Sequence, residues 1–482
     1  MDNETHFVKS QFIQKVESGD LAIVWHSLFG KPKFVSDGIL KLLNFFSKPR
    51  TFGSFFSGYR LNKNDKSHIY CLNTLIKNYY LVPEGHDERT LLKERQEKYR
   101  RYINNGSLVK YLELIISEEC NFRCTFCIHF NNLTTSNRLK NHRKMMTFKV
   151  AKRAIDHFLK ILFRHNRKTA KINFGGGEPL LGWPMIERIL KYCRSTYERR
   201  FKFHFSINTN ASLITNEVAR KLKRYNVEVA SSLDGFRKGN DQVRLTKSGR
   251  GTFDFIIKGF DCLAKLSYPL NGIAVTATDR NFSHINKKFI DWAAKRKMKD
   301  VRIDIDVIGM IKIPLKKIVR KLIGIRSYAK KYGINVSGFW SRPVENLNES
   351  AFDTQIAFCG AVRGNSLCVN PVGDIYSCGY SINKLGSLNQ MDSFFSSQER
   401  YSHFVYSNFI GSLKTCQGCM IEGQCGGGCR ITYEFEHATK APKTRQMCDF
   451  YRQMTKELLF EQLQEFKLMQ KERSKKMSSQ KR

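Results

Sequence analysis

The stretch Tyr111-Leu112-Glu113-Leu114-Ile115-Ile116-Ser117-Glu118-Glu119-Cys120-Asn121-Phe122-Arg123-Cys124-Thr125-Phe126-Cys127 decides how the rest of the chain is read. Its first six residues are mostly apolar, which predicts a buried strand. Three cysteines follow at once, spaced C-x3-C-x2-C. Three thiolates can hold three irons of a [4Fe–4S] cube, whereas such sites normally supply four, so one iron is left open to a substrate or cofactor. Catalytic zinc also takes three protein ligands, and His129 is the candidate fourth ligand at short range.

Outward from this stretch the pattern repeats. Strand-like runs at 109–116, 171–174, 201–207, 227–233, 273–276 and 301–307 alternate with helix-like runs at 148–164, 184–197, 215–224, 254–266, 286–296 and 315–331. Six such units predict an α/β fold, a partial (β/α)6 barrel of parallel strands over 110–345. Chemistry in barrels gathers at the C-terminal ends of the strands, and each candidate strand here ends in unusual residues. The second runs into Gly175-Gly176-Gly177-Glu178-Pro179, where glycines let backbone approach a ligand and Glu178 can accept from an ammonium group. The third ends Ser206-Ile207-Asn208-Thr209-Asn210, suited to ribose hydroxyls or a carboxylate. The fourth ends Ser232-Leu233-Asp234-Gly235, followed by Arg244, whose fork matches a carboxylate. Asp234, with Asp304 and Asp306, is expected at the barrel mouth, where a carboxylate takes a proton from substrate. Singly these are a turn, a helix cap and an ion pair; four in order, each behind a strand, point to one site.

The triplet, with Phe126 before its third cysteine, resembles the signature of the radical S-adenosylmethionine superfamily. That resemblance implies a [4Fe–4S] cluster on Cys120, Cys124 and Cys127 whose open iron is chelated by S-adenosylmethionine. It also implies a 5′-deoxyadenosyl radical that abstracts hydrogen from substrate. Gly175, Gly176, Gly177 and Glu178 resemble the motif that contacts the cofactor's amino group. Ser206 matches a cofactor contact, with Asn208 beside it, and Arg244 is similar to the family's arginine near the cofactor carboxylate.

After residue 345 the regularity fails and cysteine and glycine take over. Cys359, Cys368, Gly373-x4-Cys378, Cys416-x2-Cys419-x5-Cys425-x3-Cys429 and Cys448 follow in turn. All of these except Cys368 resemble the seven-cysteine pattern of the SPASM domain, which holds auxiliary clusters in peptide-modifying radical enzymes. The resemblance implies two auxiliary [4Fe–4S] clusters, one on Cys359, Cys378 and Cys429, the other on Cys416, Cys419, Cys425 and Cys448. Cys368 is the candidate fourth ligand of the first; otherwise that iron stays open. A zinc ribbon is the alternative for Cys416 to Cys429. Cys71, Cys193 and Cys262 fall in helix-like runs and read as inert buried thiols.

The 482 residues divide as 1–85, a polar, helical linker over 86–109, the barrel, a cysteine-rich region over 346–450, and a helix with a frayed basic tail over 451–482. In the first part a strand at 21–25, a turn, a strand at 33–35, three helices and a strand at 81–83 predict a winged helix. By element order it resembles the PqqD-type leader-binding element of peptide-maturing enzymes, which implies a precursor peptide as partner, held by strand addition. An external one-electron donor such as flavodoxin or ferredoxin is expected. With 82 Lys and Arg against 43 Asp and Glu, the formal charge of +39 suits an anionic partner, but lysine is spread over nearly every segment, so nucleic acid is not the favoured one. With neither a signal-like start nor a membrane-length apolar run, and with 14 closely spaced cysteines, the chain is expected to be cytoplasmic. The function expected is oxidative modification of a ribosomally made peptide. The rivals are a sulfatase-maturing type of enzyme acting on a protein Cys or Ser, and a basic nucleic-acid-binding metalloprotein.

Overall fold

The structure is a computed structural model that describes residues 4–128, 145–268, 270–306, 312–348, 357–439 and 443–479. His129 lies outside them. At the front, β1 (Phe7–Lys9) pairs antiparallel with β5 (Leu81–Pro83), and β2 (Ile13–Ser18), β3 (Leu21–His26) and β4 (Gly30–Ser36) form a second antiparallel sheet. Between β4 and β5 run α1 (Asp37–Phe45), α2 (Phe52–Gly58) and α3 (Lys66–Lys77). Thr51 caps α2 by accepting from Ser54 N–H at 3.1 Å, as its position predicts, and Asp65 caps α3. The unforeseen strands are β1, only three residues long, and β2, whose apolar Ile13 and Val16 sit three apart and so break the alternation that marks a strand. An aromatic core of Phe46, Phe52, Phe55 and Tyr80 closes this unit.

The expected linker is a strut. Helix α4 (Glu88–Asn104) buries Leu92 against Phe12, Leu28 and Phe29 of the front unit and Tyr99 and Ile103 in the main core, joining the two. Beyond it, ten strands of the described residues form one sheet in the order β12-β11-β10-β9-β8-β7-β6-β13-β14-β15. The run from β6 (Tyr111–Ser117) through β7 (Thr169–Gly176), β8 (Lys202–Thr209), β9 (Val227–Ser232), β10 (Gly272–Ala277) and β11 (Asp300–Ile305) to β12 (Asn335–Ser337) is parallel throughout. The crossovers are α5 (Phe148–Arg164), α6 (Trp183–Tyr197), α7 (Asn216–Arg224), α8 (Phe253–Ala264), α9 (Lys287–Lys295) and α10 (Leu315–Ala329). This is the expected parallel α/β core with one strand more, β12 being too short to announce itself in the sequence.

Each crossover helix buries one stripe. In α5, Ala151, Ala154, Ile155, Phe158, Leu159 and Leu162 recur at three- and four-residue spacing, each large side chain contributing about 1.5–3 kcal/mol by burial. They pack on the sheet face that carries Leu112, Leu114, Ile172, Phe174, Phe205 and Ile207. The opposite face carries Tyr111, Glu113, Asn173, Ser206 and Asn208, by the period of two along each strand. A polar inner face in a parallel sheet marks a site, since such sheets are normally apolar on both sides.

The sheet does not close on itself. The free edge of β6 takes β13 (Ser366–Val369) in parallel, and antiparallel β14 (Asp374–Tyr376) and β15 (Gly386–Ser387) extend it. It therefore runs through the expected boundary at 346 and carries Cys368 with it. Short helices α11 (Arg342–Asn348), α12 (Arg400–Ser407) and α13 (Arg430–Thr439) flank the cysteine-rich loops. The last helix, α14 (Lys443–Ser479), starts before Tyr451 and continues through Lys471, in place of the expected frayed tail. Its length is used as a strap: Phe466 stacks on Phe34 of β4 at 4.2 Å, and Glu461 meets Arg326 and Lys330 of the barrel. Among the described residues no helix is long and apolar enough to cross a membrane.

Candidate active site

The cysteine loop leaves β6 at Ser117, whose hydroxyl accepts from Glu119 N–H at 3.1 Å and turns the chain. The glycine run at the end of β7 takes the loop in. Gly177 N–H donates to Ser117 O at 2.8 Å and Glu178 N–H to Glu119 O at 2.9 Å. A Cβ on Gly176, at φ +137°, would lie 2.2 Å from Ser117 O, and one on Gly177 would lie 2.5 Å from Glu119 O. The close approach expected between these glycines and a ligand is thus in the first place an approach to the cysteine loop itself.

On its other side the loop pairs with the segment that carries Arg244. Arg123 N–H donates to Leu245 O at 2.6 Å and Thr125 N–H to Val243 O at 2.9 Å. That pairing sets the Arg244 guanidinium 5.2 Å over the Phe126 ring and its Nη1 3.8 Å from Cys124 Sγ. Asn210 locks the loop from β8, donating to Asn121 Oδ1 at 2.8 Å while Asn121 donates to Ser212 Oγ at 2.8 Å. This asparagine bridge carries no local signal, since its two residues lie on different strand ends.

Burial pushes the Cys120 thiol up to about 11 and the Cys124 thiol up to about 12. Left alone, both stay protonated at neutral pH; a bound polycationic centre is what draws such thiols into the thiolate form. Cys127 lies close enough to Cys124 to raise it further. Three thiols on one loop fit three irons of an iron–sulfur cluster. Zinc bound at about 2.3 Å needs its sulfurs about 3.8 Å apart.

Two expected roles change. Glu178 is fully buried, and its carboxylate already accepts from Leu180 N–H (2.9 Å), the Thr209 hydroxyl (2.7 Å) and Asn210 N–H (2.8 Å). It braces the ends of β7 and β8, with burial pushing it up to about 6 against those three donors. Asp234, expected to take a proton at the barrel mouth, is also fully buried. It sits 2.6 Å from Arg244 Nε and accepts from Thr276 N–H at 2.7 Å, so it anchors Arg244 and does not face substrate. Asp304 is likewise engaged, by Arg302 Nε at 2.6 Å and Phe339 N–H at 2.5 Å. Ser206 and Asn208 lie on the inner face, Ser206 donating to Asn173 Oδ1 at 2.9 Å.

The C-terminal cysteines fall into two sets by mutual electrostatic reach. Cys378 is raised by burial, then by Cys429, Glu113 and Cys359; Cys429 is pushed up to about 12 by burial, with Cys359 next. Cys425 is raised by burial, then by Cys448, Cys416 and Cys419. Three successive left-handed glycines, Gly426, Gly427 and Gly428, carry the chain from Cys425 of one set to Cys429 of the other. Cys368 sits in β13 opposite Glu113, buried with Ile115 and Tyr376. Cys71, Cys193 and Cys262 lie on α3, α6 and α8, away from these sets in the fold.

The first set meets the inner face. Glu113 accepts from Asn173 Nδ2 at 3.2 Å and from Gly379 N–H, next to Cys378, at 3.0 Å. Tyr380 is pushed up to about 12 by burial and then by Glu113, with Arg302 opposing and with Cys378 and Cys127 both in range. Glu113, Arg302 and Tyr380 were not anticipated; the inner-face position of Glu113 could have been read from the alternation of β6.

Comparison with known proteins agrees with this geometry. The Radical SAM superfamily profile matches residues 114–286. The chain is 26% identical over 468 residues to the radical SAM cyclopropyl synthase TigE of Paramaledivibacter caminithermalis, covering 95% of this chain and 97% of that one. It is 31% identical over 283 residues to an uncharacterised protein of Methanocaldococcus jannaschii, 58% of this chain and 89% of the other. In three dimensions it is similar to Streptococcus suis SuiB bound to precursor peptide SuiA, with a TM-score of 0.51 at 18% identity over 88% of this chain and 96% of that one. Membership implies an enzyme that uses a [4Fe–4S] cluster and S-adenosylmethionine to modify a peptide or protein. The chain belongs to the radical SAM superfamily.

Proposed function

We propose that this enzyme oxidatively modifies a ribosomally made precursor peptide on the inner face of the sheet, between the front cysteine triplet and the set that includes Cys378, with two auxiliary clusters as electron acceptors. The observation that carries this is Glu113 on the inner face of β6, the strand that runs into the front cysteine loop, which accepts from Gly379 N–H, next to Cys378, at 3.0 Å. Cys120, Cys124 and Cys127 hold the catalytic cluster, and Phe126, Gly175, Gly176, Gly177, Ser206, Asn208 and Arg244 surround the cofactor, with Glu178 bracing the glycine run from behind. Reductive cleavage of bound S-adenosylmethionine supplies the hydrogen-abstracting radical. Cys359, Cys378 and Cys429 hold one auxiliary cluster, with Cys368 beside Glu113 as the nearest further thiol on that face; Cys416, Cys419, Cys425 and Cys448 hold the other. After hydrogen abstraction the substrate gives up one electron and one proton. Glu113, on the inner face, takes the proton that was expected to go to Asp234.

The front unit, 1–85, serves as a PqqD-like leader-binding element. Its β4 is an edge strand whose outer backbone is a place for strand addition, beside the Phe34–Phe466 stack. TigE, named as a cyclopropyl synthase, and SuiB, seen with its precursor peptide, support a peptide substrate. Flavodoxin or ferredoxin, both acidic donors, suit a cytoplasmic protein with a formal charge of +39.

The test is to incubate the reconstituted full chain with S-adenosylmethionine, flavodoxin or ferredoxin, and a mass-encoded peptide library. The expected outcome is that peptides retained by the chain become lighter by two hydrogens. Conversion of a folded sulfatase with no peptide modified would favour the protein-modifying rival.

A further inference from the structure

The front unit does not hang from the enzyme by a linker. The first turn of α4 is a joint whose two adjacent residues face opposite ways. Glu88 turns into the front unit, accepting from Ser10 Oγ at 2.5 Å and meeting His26 Nε2 at 2.8 Å. Arg89 turns to the second C-terminal cysteine set. Its Nη1 and Nη2 donate in parallel to Glu422 Oε1 and Oε2 at 2.9 and 3.0 Å, and Glu422 is fully buried between Cys419 and Cys425. Glu422 Oε2 also accepts from Gly418 N–H at 3.0 Å, inside the Cys416-x2-Cys419 turn.

Three more contacts seal the same junction. Trp25 Nε1 donates to Met420 O at 2.9 Å, and Gly423 N–H donates to Ser27 O at 2.7 Å. A Cβ on Gly423 would lie 1.8 Å from Leu28 O, so the two backbones touch with no room for a side chain. The hairpin between β3 and β4 and the 416–425 loop are therefore packed as one piece. A carboxylate buried in this cysteine loop is costly unless a cation meets it, and Arg89 is that cation.

We propose that Arg89 is a positioning residue for the cluster held by Cys416, Cys419, Cys425 and Cys448, so that this cluster and the front unit assemble as one cooperative unit, each ordering the other. This rests on the auxiliary-cluster assignment above. By linkage the effect runs both ways: loss of Arg89 loosens the ligand loop, and loss of the cluster loosens β3 and β4.

The experiment uses full-length wild type, R89M, R89K, the C416A/C419A variant and C416A/C419A/R89M, all reconstituted anaerobically. Iron, sulfide and low-temperature EPR are measured beside hydrogen exchange of the segment 21–36. The proposal expects about twelve irons per chain in wild type and about eight in R89M, with the missing EPR signal largely restored in R89K. Adding R89M to C416A/C419A should remove no further iron. Exchange across 21–36 should quicken by at least about tenfold in C416A/C419A, a readout that stands even if R89M fails to fold. About twelve irons in R89M with unchanged exchange in C416A/C419A overturns the proposal. About eight irons or fewer in wild type overturn the auxiliary-cluster assignment, and the proposal with it.

Discussion

Arg244 and Asp234 form a buried ion pair, Nε to Oδ2 at 2.6 Å, directly behind the cysteine loop. The pair holds the guanidinium between the Phe126 ring and Cys124, so Asp234 acts on the site through Arg244. D234A leaves a buried cation without its partner and is expected to cost about 3–5 kcal/mol. Thermal unfolding and S-adenosylmethionine cleavage should fall together in this variant. A stable D234A that cleaves the cofactor yet fails to modify peptide would return Asp234 to the role of base.

Glu113 gives the opposite signature. E113Q keeps the shape of the side chain and loses at most a hydrogen bond, about 1 kcal/mol. Cofactor cleavage without peptide should stay within about threefold of wild type, whereas peptide product should drop by about 100-fold or more, in line with loss of a general base. Equal losses in both assays would show that Glu113 supports the fold of the site and does not take the proton.

Gly176 tests the docking of the cysteine loop. At φ +137°, with Ser117 O only 2.2 Å from where an alanine methyl would sit, G176A must displace the loop. The expected result is a chain that still folds, destabilised by more than about 1 kcal/mol, and that retains about four irons fewer after reconstitution. Normal iron content in G176A would mean that the glycine run serves the cofactor alone.

His26 predicts a pH dependence for the front unit. Its Nδ1 accepts from Leu28 and Phe29 N–H, both at 3.2 Å, so the proton sits on Nε2 toward Glu88. Burial lowers His26 below its ordinary 6.5, outweighing the upward pull of Glu88. The folded form resists a proton that the unfolded chain accepts. Its contribution is therefore present above pH 6.5 and is lost as pH falls through the lower folded value, at no more than about 1.4 kcal/mol per pH unit. Thermal melts of wild type and H26Q between pH 7.5 and 5.5 should show that step in wild type and a flatter profile in the variant.

The sequence disclosed most where the local signal and the tertiary role coincide. The six strands and crossover helices of the barrel carry strong periodicity because each buries a full stripe, as Ile155 and Phe158 do. The cysteines stand out because they recur at close, regular intervals in a chain with few others, and that spacing is local. What stayed hidden depends on partners distant in the chain. No local pattern shows that Glu178 would be taken up by Thr209 and Asn210, or Asp234 by Arg244, since a strand-end carboxylate looks the same whether it faces substrate or a guanidinium. Arg89 and Glu422 are 333 residues apart, and α4 reads as a polar linker because its charged residues outnumber the buried Leu92, Tyr99 and Ile103. β12 and β13 are strands only because β11 and β6 offer free edges.

The central claim is that Cys120, Cys124 and Cys127 form the catalytic centre. It is tested most directly by reductive cleavage of S-adenosylmethionine, read as 5′-deoxyadenosine, in anaerobically reconstituted wild type and in a variant with all three changed to alanine. The account predicts cleavage in wild type and none in the variant, with loss of about four irons per chain. Cleavage that survives in the variant, or zinc without iron in the wild type, would contradict it.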